Sequence, residues 1–384
     1  MKGEYYQTSY SRKSQTPRRS VVMWCVDLLL TLLSVVTTVA MLLTYLVPHL
    51  SPERLWFLPV LGLAAPCLYL LTVILALYWL LRWRLLRAGL MLVVVVIGLS
   101  HISLFWRPEQ PSHLDRVANQ RATFTVMSYN VRSFYGEDDK NSADSIVRLI
   151  DTFRPDIICL QEFNTRLAEQ SEAYLRMEEE YHRATLARSS REEPVASSMV
   201  ILSKFKIIRS GVVLSPHTSV WADIEMGRSR DTVRIINNHL RSTAINADDN
   251  DYLSSHRYLA DSAREEKLLN MVERHRANSL LRAQQADSLA EFLRQSPRRR
   301  LVCGDFNDTP SSYVYHTISE GLEDSFSRCG SGYSHTFRGF FDLLRIDYIL
   351  SSPDLEPLTY QTPKVPYSDH YPLYVVLKKH TLTH

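Results

Sequence analysis

Five cysteines in 384 residues, with no Cys-x-x-Cys pair among them, leave too little sulfur for a disulfide framework or a thiolate metal cluster. Cys25 and Cys67 fall in long apolar runs, Cys159 and Cys303 in strand-like ones, and Cys329 beside glycine and serine, so buried thiols are the expected state. Gly-x-Ser-x-Gly, a Walker loop and His-Glu-x-x-His are also missing, which sets aside serine hydrolases of that type, P-loop enzymes and zinc proteases. The chain contains no internal repeat. Its densest acidic cluster, Asp248-Asp-Asn-Asp251, lacks the later glycine and glutamate of a calcium loop and reads as a solvated turn.

Apolar residues, by contrast, are concentrated at the front. Segments 21–47, 55–81 and 88–106 are long apolar runs. At ~1.5 Å per residue the first two reach about 40 Å, enough to cross a hydrocarbon layer of about 30 Å with some tilt. Three transmembrane helices are expected, and a cleaved signal peptide is not, because its apolar core would be only about 7–15 residues long. Trp24, Trp56, Trp79, Trp83 and Trp106 fall near the ends of the runs, where an amphipathic ring prefers the headgroup region. Asp27 also lies near an end, where partial exposure is expected.

Basic residues set the orientation. Lys2, Arg12, Lys13, Arg18 and Arg19 precede the first run, only Arg54 follows it, and Arg82, Arg84 and Arg87 follow the second. The positive-inside rule then places the N-terminus in the cytoplasm and everything after the third run outside. Ten Lys or Arg against three Asp or Glu give residues 1–107 a charge of +7, so with +3 overall the remainder carries −4. A mildly acidic outer part argues against a dedicated binder of long nucleic acids, which shows a basic footprint. The expected organisation is a basic tail over 1–20, a membrane region over 21–106, a polar linker over 107–121 and a single domain over 122–380.

Within that domain, β-rich runs end repeatedly in polar groups. Leu301-Val-Cys-Gly-Asp-Phe-Asn307 is the clearest: three apolar residues suited to a strand covered on both faces, a glycine that lets the backbone turn, then Asp305 and Asn307 at the tip. One such stretch is most simply a strand followed by an Asx-turn. The pattern recurs, however. The run from Thr123 ends at Asn130, 156–160 leads into Glu162, and 233–238 ends at His239. Further strands are expected at 198–202, 220–225, 345–350 and 373–377, and amphipathic helices at 142–153 and 278–293. Asp347 lies inside the apolar strand 345–350, where a carboxylate is costly unless paired, and a histidine would serve as its partner. Asp369 and His370 precede the final strand.

Asn130, Glu162, His239, Asp305, Asn307, Asp347, Asp369 and His370 therefore collect at strand ends. Oxygen-rich ligands without thiolates suit a hard cation such as Mg²⁺, with Mn²⁺ as a substitute, and two histidines can move protons or steady a developing negative charge. Hydrolysis of a phosphate ester needs that combination: a metal, an oriented water, donors for the phosphoryl oxygens and an acid for the leaving group.

Ser-Tyr-Asn130-Val, Leu-Gln-Glu162, Asn-Asn-His239-Leu, Gly-Asp305-Phe-Asn307, Arg-Ile-Asp347-Tyr-Ile and Ser-Asp369-His370-Tyr-Pro occur in an order that resembles the endonuclease/exonuclease/phosphatase superfamily. The resemblance covers residues 122–377 and none of the membrane part. It implies a four-layered α/β sandwich, two packed sheets flanked by helices, and divalent-metal hydrolysis. By that likeness Glu162 is the principal metal ligand with Asn130 and Asp369 near it, Asp305 orients or deprotonates the water, and Asn307 holds a phosphate oxygen. His370, held by Asp347, would be base or charge stabiliser, and His239 would sit near the leaving group; which histidine is acid and which base stays open. Arg132 stands where abasic-site endonucleases carry a second acid, which argues against that repair activity. The implied protein is a membrane-embedded phosphoesterase acting on a lipid headgroup, a small phosphoester or a nucleic acid. An extracytoplasmic nuclease and a non-catalytic binding module are the alternatives, and segment 240–276, with its charged stretch, is the expected seat of specificity.

Overall fold

Alternate residues of the long strands face two different cores, and that alternation builds the molecule in layers. The computed structural model describes residues 21–109, 123–185, 198–214, 218–226, 231–243, 252, 255 and 263–380. The basic tail 1–20, most of the expected linker and the Asp248 to Asp251 cluster lie outside these.

The chain begins with α1 (Val21–Thr44), a short 3₁₀ turn (Val47–His49), α2 (Leu58–Leu81), α3 (Leu85–Ile97) and α4 (Leu99–Ile102). Two segments, Val21–His49 and Leu58–Leu81, are long and apolar enough to cross a membrane. The third expected span is different: α3 stops after 13 residues. Its end at Gly98 follows from close packing, since a Cβ there would lie 2.2 Å from the hydroxyls of both Tyr45 and Tyr69. Those hydroxyls donate to the carbonyls of Val94 (2.8 Å) and Gly98 (2.9 Å). Asp27 is also better covered than expected, because Arg82 (2.9 Å) and Tyr78 (2.8 Å) both reach its carboxylate.

After β1 (Trp106–Arg107) the chain enters two six-stranded sheets. The first runs in the order β13 (Leu355–Gln361), β14 (Leu373–Lys379), β2 (Thr123–Asn130), β3 (Ile157–Phe163), β5 (Ser198–Ser203), β4 (His182–Thr185). The second runs β10 (Glu323–Asp324), β12 (Asp347–Ser351), β9 (Arg300–Asp305), β8 (Asp231–His239), β7 (Ser219–Met226), β6 (Ile207–Leu214). Among the described residues, only β2 with β3 and β8 with β9 pair in parallel. Val126, Ile157, Cys159, Ile235, Leu301, Cys303 and Ile349 fill the space between the sheets.

Their neighbours in sequence point outward. Met127, Ile158 and Leu160 meet α5 (Ala143–Phe153) with the short helices α6 (Thr165–Glu169) and α7 (Glu172–Glu178). Ile236, Val302 and Tyr348 meet α8 (Arg264–Gln295) and α9 (Tyr313–Ser319) on the opposite side. The result is helix, sheet, sheet, helix, the four-layered α/β arrangement expected from sequence. A further short helix, α10 (Ser325–Cys329), follows α9. The expected helix at 278–293 and the charged stretch before it form one continuous helix, α8, exposed in its first turns and burying one face from His275 onward.

The apolar helices are not an appendage. The Thr309 hydroxyl donates to the Gly62 carbonyl of α2 at 3.4 Å, the His49 and His316 rings meet edge on at 4.6 Å, and Arg345 donates to the Leu104 carbonyl at 2.9 Å. β1 pairs with β11 (Gly332–Tyr333).

Candidate active site

Strand register places the site. β8, β9 and β12 are consecutive neighbours, with His239 opposite Asp305 and Asp305 opposite Asp347. All three continue the inward-facing alternation of Ile235, Cys303 and Ile349, so their side chains emerge where the inter-sheet core opens. Asn130 does the same from β2 in the facing sheet, continuing Phe124 and Val126. Strand alternation in two sheets thus delivers four polar groups to one rim.

Glu162 breaks the alternation. Two-residue spacing would send it outward with Ile158 and Leu160, but its φ is 51° and the pairing with β5 shifts between Leu160 and Phe163. The left-handed residue swings the carboxylate back to the rim, where Asn130 Nδ2 donates to Glu162 Oε1 at 3.0 Å. Gly304 is not the turn expected from sequence. It lies inside β9 opposite Asn238 and Tyr348 with φ of +123°, and a Cβ would come 2.0 Å from the Asn238 carbonyl oxygen. Only glycine lets the two strands approach so closely just before Asp305.

Asp305 is the centre of the cluster and is 1 % exposed. Its Oδ1 accepts the Asn307 backbone N–H at 2.8 Å, and its Oδ2 accepts from Asn130 Nδ2 and Asn307 Nδ2, each at 3.1 Å. His370 Nε2 lies 3.7 Å and His239 Nε2 3.8 Å from the same oxygen. His239 Nε2 is also 3.4 Å from Glu162 Oε1. Behind His370, its Nδ1 meets Asp347 Oδ2 at 2.9 Å. The Thr336 hydroxyl accepts the backbone N–H of Asp347 at 3.1 Å, fixing the start of that strand.

Burial pushes the Asp305 carboxyl up to about 6, with His370 opposing, Asp347 reinforcing, and His239 and the Asn307 N–H opposing. Burial alone would push the His370 imidazole down, but Asp347 and Asp305 together lift it well above its ordinary value. The pair is therefore an imidazolium against a carboxylate, aimed at a second carboxylate.

The amides of both asparagines are held by hydrogen bonds. Asn130 Oδ1 accepts the Arg132 N–H at 3.0 Å while its Nδ2 links Glu162 to Asp305, so its amide braces two carboxylates. Asn307 Nδ2 donates to the Leu240 carbonyl (3.1 Å) as well as to Asp305, fixing the amide beside that carboxylate. Asp369 stands at the edge, 3.7 Å from Arg132, with 40 % of its side chain exposed. Asp305, Asp347 and His370 bring one ligand atom each within 4.8 Å of one another. The direct bond from His370 to Asp347 makes that trio a charge chain, while Glu162 and Asp369, with 30 % and 40 % of their side chains exposed, are the more open carboxylates of the group.

Residues not singled out from sequence complete the site. Gln161 Nε2 donates to Asn237 Oδ1 at 2.6 Å, and Asn237 donates to the carbonyls of Leu160 (2.9 Å) and Val200 (3.1 Å). This buried network ties the two sheets together directly beneath the rim. The paired asparagines before His239 were the available signal. Arg282, fully buried on α8, donates to Asp308 Oδ2 (3.1 Å) and to the Arg241 carbonyl (2.7 Å), tying the loops after β8 and β9 together. The cavity above them has a volume of about 550 Å³. Glu162, His239, Asp305 and His370 form its polar end; Phe337, Phe340 and Leu344 line the rest.

The endonuclease/exonuclease/phosphatase family profile matches residues 127–370, and that of a domain of unknown function matches residues 27–105. No curated protein matches the chain. Similar solved structures include an endonuclease/exonuclease/phosphatase from Bacteroides vulgatus, at 19 % identity and a TM-score of 0.49, covering 68 % of this chain and 100 % of that one. The human nocturnin catalytic domain with bound sulfate is 19 % identical, at a TM-score of 0.48, over 68 % of this chain and 95 % of its own. A family protein from Bacteroides thetaiotaomicron is 17 % identical, at a TM-score of 0.49, over 67 % and 98 %.

Proposed function

Because this chain belongs to the endonuclease/exonuclease/phosphatase family, we propose that it is a membrane-tethered, divalent-metal-dependent phosphoesterase whose catalytic domain stands outside the cytoplasm. Supporting the tether are the two helices of spanning length; supporting the orientation are the basic α2–α3 turn at the far end of the helices from the domain and the third apolar run, α3 with α4, which carries the chain back from that turn to the domain. The observation that carries the chemistry is the convergence of Glu162, His239, Asp305 and the His370–Asp347 pair on one cavity.

A hard cation fits these residues. Asp305 is a buried carboxylate beside a second acid, Asp347, which a positive charge would relieve, and the cavity is lined by carboxylates and imidazoles with no thiol. Glu162, joined by Asp369, would hold Mg²⁺ or Mn²⁺, and the ion would supply polarisation of a phosphoryl oxygen. The protein's own groups do the rest. Asp305, with both oxygens fixed by Asn307 and Asn130, orients a water molecule and takes its proton. The His370 imidazolium, kept charged by Asp347, stabilises negative charge accumulating on the phosphoryl group. His239, more exposed than His370, stands across the cleft where a leaving oxygen would need a proton.

The test is hydrolysis of bis-p-nitrophenyl phosphate by the full chain in detergent with Mg²⁺ or Mn²⁺. The expected result is turnover that stops with EDTA, falls about a hundredfold or more in Asp305→Asn and His370→Ala, and persists in Cys329→Ala. Equal rates in wild type and both site variants would dispose of the proposal.

A further inference from the structure

The cavity has a wall that the catalytic domain does not supply. Leu63, in the second turn of α2, lines it together with Glu162, Asp305 and His370. This placement is held on several sides. Leu58, at the start of α2, is fully buried, and a Cβ at Gly62 would lie 3.1 Å from Val47 and 3.8 Å from the Ser311 carbonyl. The Gly62 carbonyl accepts from Thr309, two residues beyond Asn307. The Arg276 guanidinium lies 5.0 Å from the centre of the Trp56 ring, just before α2 begins. The helix that would enter the bilayer therefore starts as part of the active-site wall.

The opposite flank of α2 differs in character. A second cavity of about 550 Å³ lies between α1, α2 and α8, lined by Val35, Val39, Trp56, Val60 and Val272 without a charged residue. Val272 is one turn from His275, which lines the active-site cavity. Beyond these first turns α2 presents bare apolar surface, with Leu70 64 % exposed. An apolar surface of that kind is covered by lipid in a tethered protein. The cavity's lining combines the carboxylates and imidazoles of the site with Leu63, Phe337, Phe340 and Leu344, so apolar and charged groups share one wall.

We infer that the substrate is an amphiphilic phosphoester drawn from the membrane leaflet next to the catalytic domain, its phosphate at Glu162 and Asp305 and its hydrocarbon lying along Leu63 of α2. This rests on the reading of the site as a phosphoesterase. A water-soluble ester or a nucleic acid has nothing to place against Leu63, whereas a lipid reaches the cavity without leaving the bilayer by more than its headgroup. The mildly acidic outer part of the chain points the same way, since it gives a long polyanion no basic track to follow.

Two phosphodiesters with the same reacting group separate the possibilities: dodecyl p-nitrophenyl phosphate in phosphatidylcholine vesicles and ethyl p-nitrophenyl phosphate in solution, both given to the full chain reconstituted in the same vesicles with Mg²⁺. The expected result is a higher kcat/KM for the dodecyl ester. In Leu63→Gln that preference should fall by about tenfold, the scale set by losing one buried aliphatic contact. Leu70→Gln, a matched polar change on the exposed face of the same helix, should retain the preference. Hydrolysis of the ethyl ester with no preference for the dodecyl one would overturn the lipid assignment and leave the phosphoesterase reading standing. Faster cleavage of a single-stranded oligonucleotide than of the dodecyl ester would overturn it in favour of a nuclease. Hydrolysis of neither ester, with Asp305→Asn indistinguishable from wild type, would remove both readings.

Discussion

His275 offers the sharpest quantitative test of the junction between helices and domain. The side chain sits on α8 beneath the start of α2 and is only 6 % exposed, with the backbone of Pro59 and Thr243 against its ring. Burial pushes its pKa from the ordinary 6.5 down to about 4; the Arg282 guanidinium acts in the same direction, while Asp308 and the backbone at Pro59 and Thr243 oppose. The native state therefore binds this proton less readily than the unfolded chain, so stability is intact above about pH 6.5 and is lost as pH falls toward 4. With those two values the loss amounts to about 2 kcal/mol by pH 5 and about 3 kcal/mol by pH 4. For a domain of this size about 2 kcal/mol corresponds to roughly 4–8 °C in Tm. Thermal unfolding of the full chain in detergent, wild type against His275→Gln at pH 7.5 and 5, isolates the contribution, because other carboxylates titrate equally in both. Wild type should lose the larger amount on acidification by that margin. Parallel losses in the two proteins would show that the imidazole is solvated or paired, and that α2 does not seal the cavity floor as described.

Gly304→Ala should cost roughly 4 kcal/mol or more, because a Cβ would press on the Asn238 carbonyl at 2.0 Å; an unchanged Tm would mean that β8 and β9 are not so closely apposed. Asp347→Asn keeps the shape of the His370 partner but removes its charge. It should lower kcat on bis-p-nitrophenyl phosphate by about a hundredfold with little change in KM, and a wild-type kcat would show that His370 works without its carboxylate.

The central strands were legible from sequence because they are covered on both faces. β2, β3, β5 and β14 in one sheet and β7, β8, β9 and β12 in the other bury most of their length. Within the two six-stranded sheets, the strands that sequence reasoning passed over, β4, β6, β10 and β13, are the four edges. β6 is mostly exposed or half-buried and contains Gly211, and β13 carries Pro357 at a register shift. An edge strand pairs on one side only, so its sequence is under weaker demand for apolar side chains and tolerates irregularity. The third apolar run shows the converse: its composition suits a span, but two tyrosines from neighbouring helices packed at Gly98 break it.

Sequence by itself determined which polar residues lie at strand ends, Asn130, His239, Asp305 and Asp347 among them, because two-residue alternation is a local property of the chain. Tertiary structure alone decided what each does there. Glu162 reaches the rim through a left-handed backbone that no alternation predicts, and the amides of Asn130 and Asn307 are engaged by partners as distant in sequence as Asp305 and Leu240. Leu63 is an ordinary residue of an apolar run until packing of α2 against the loop after Asn307 turns it into part of the cavity wall. Side-chain hydrogen bonds and inter-helix packing are set by neighbours in space, and those exist only once the two sheets and the apolar helices have come together.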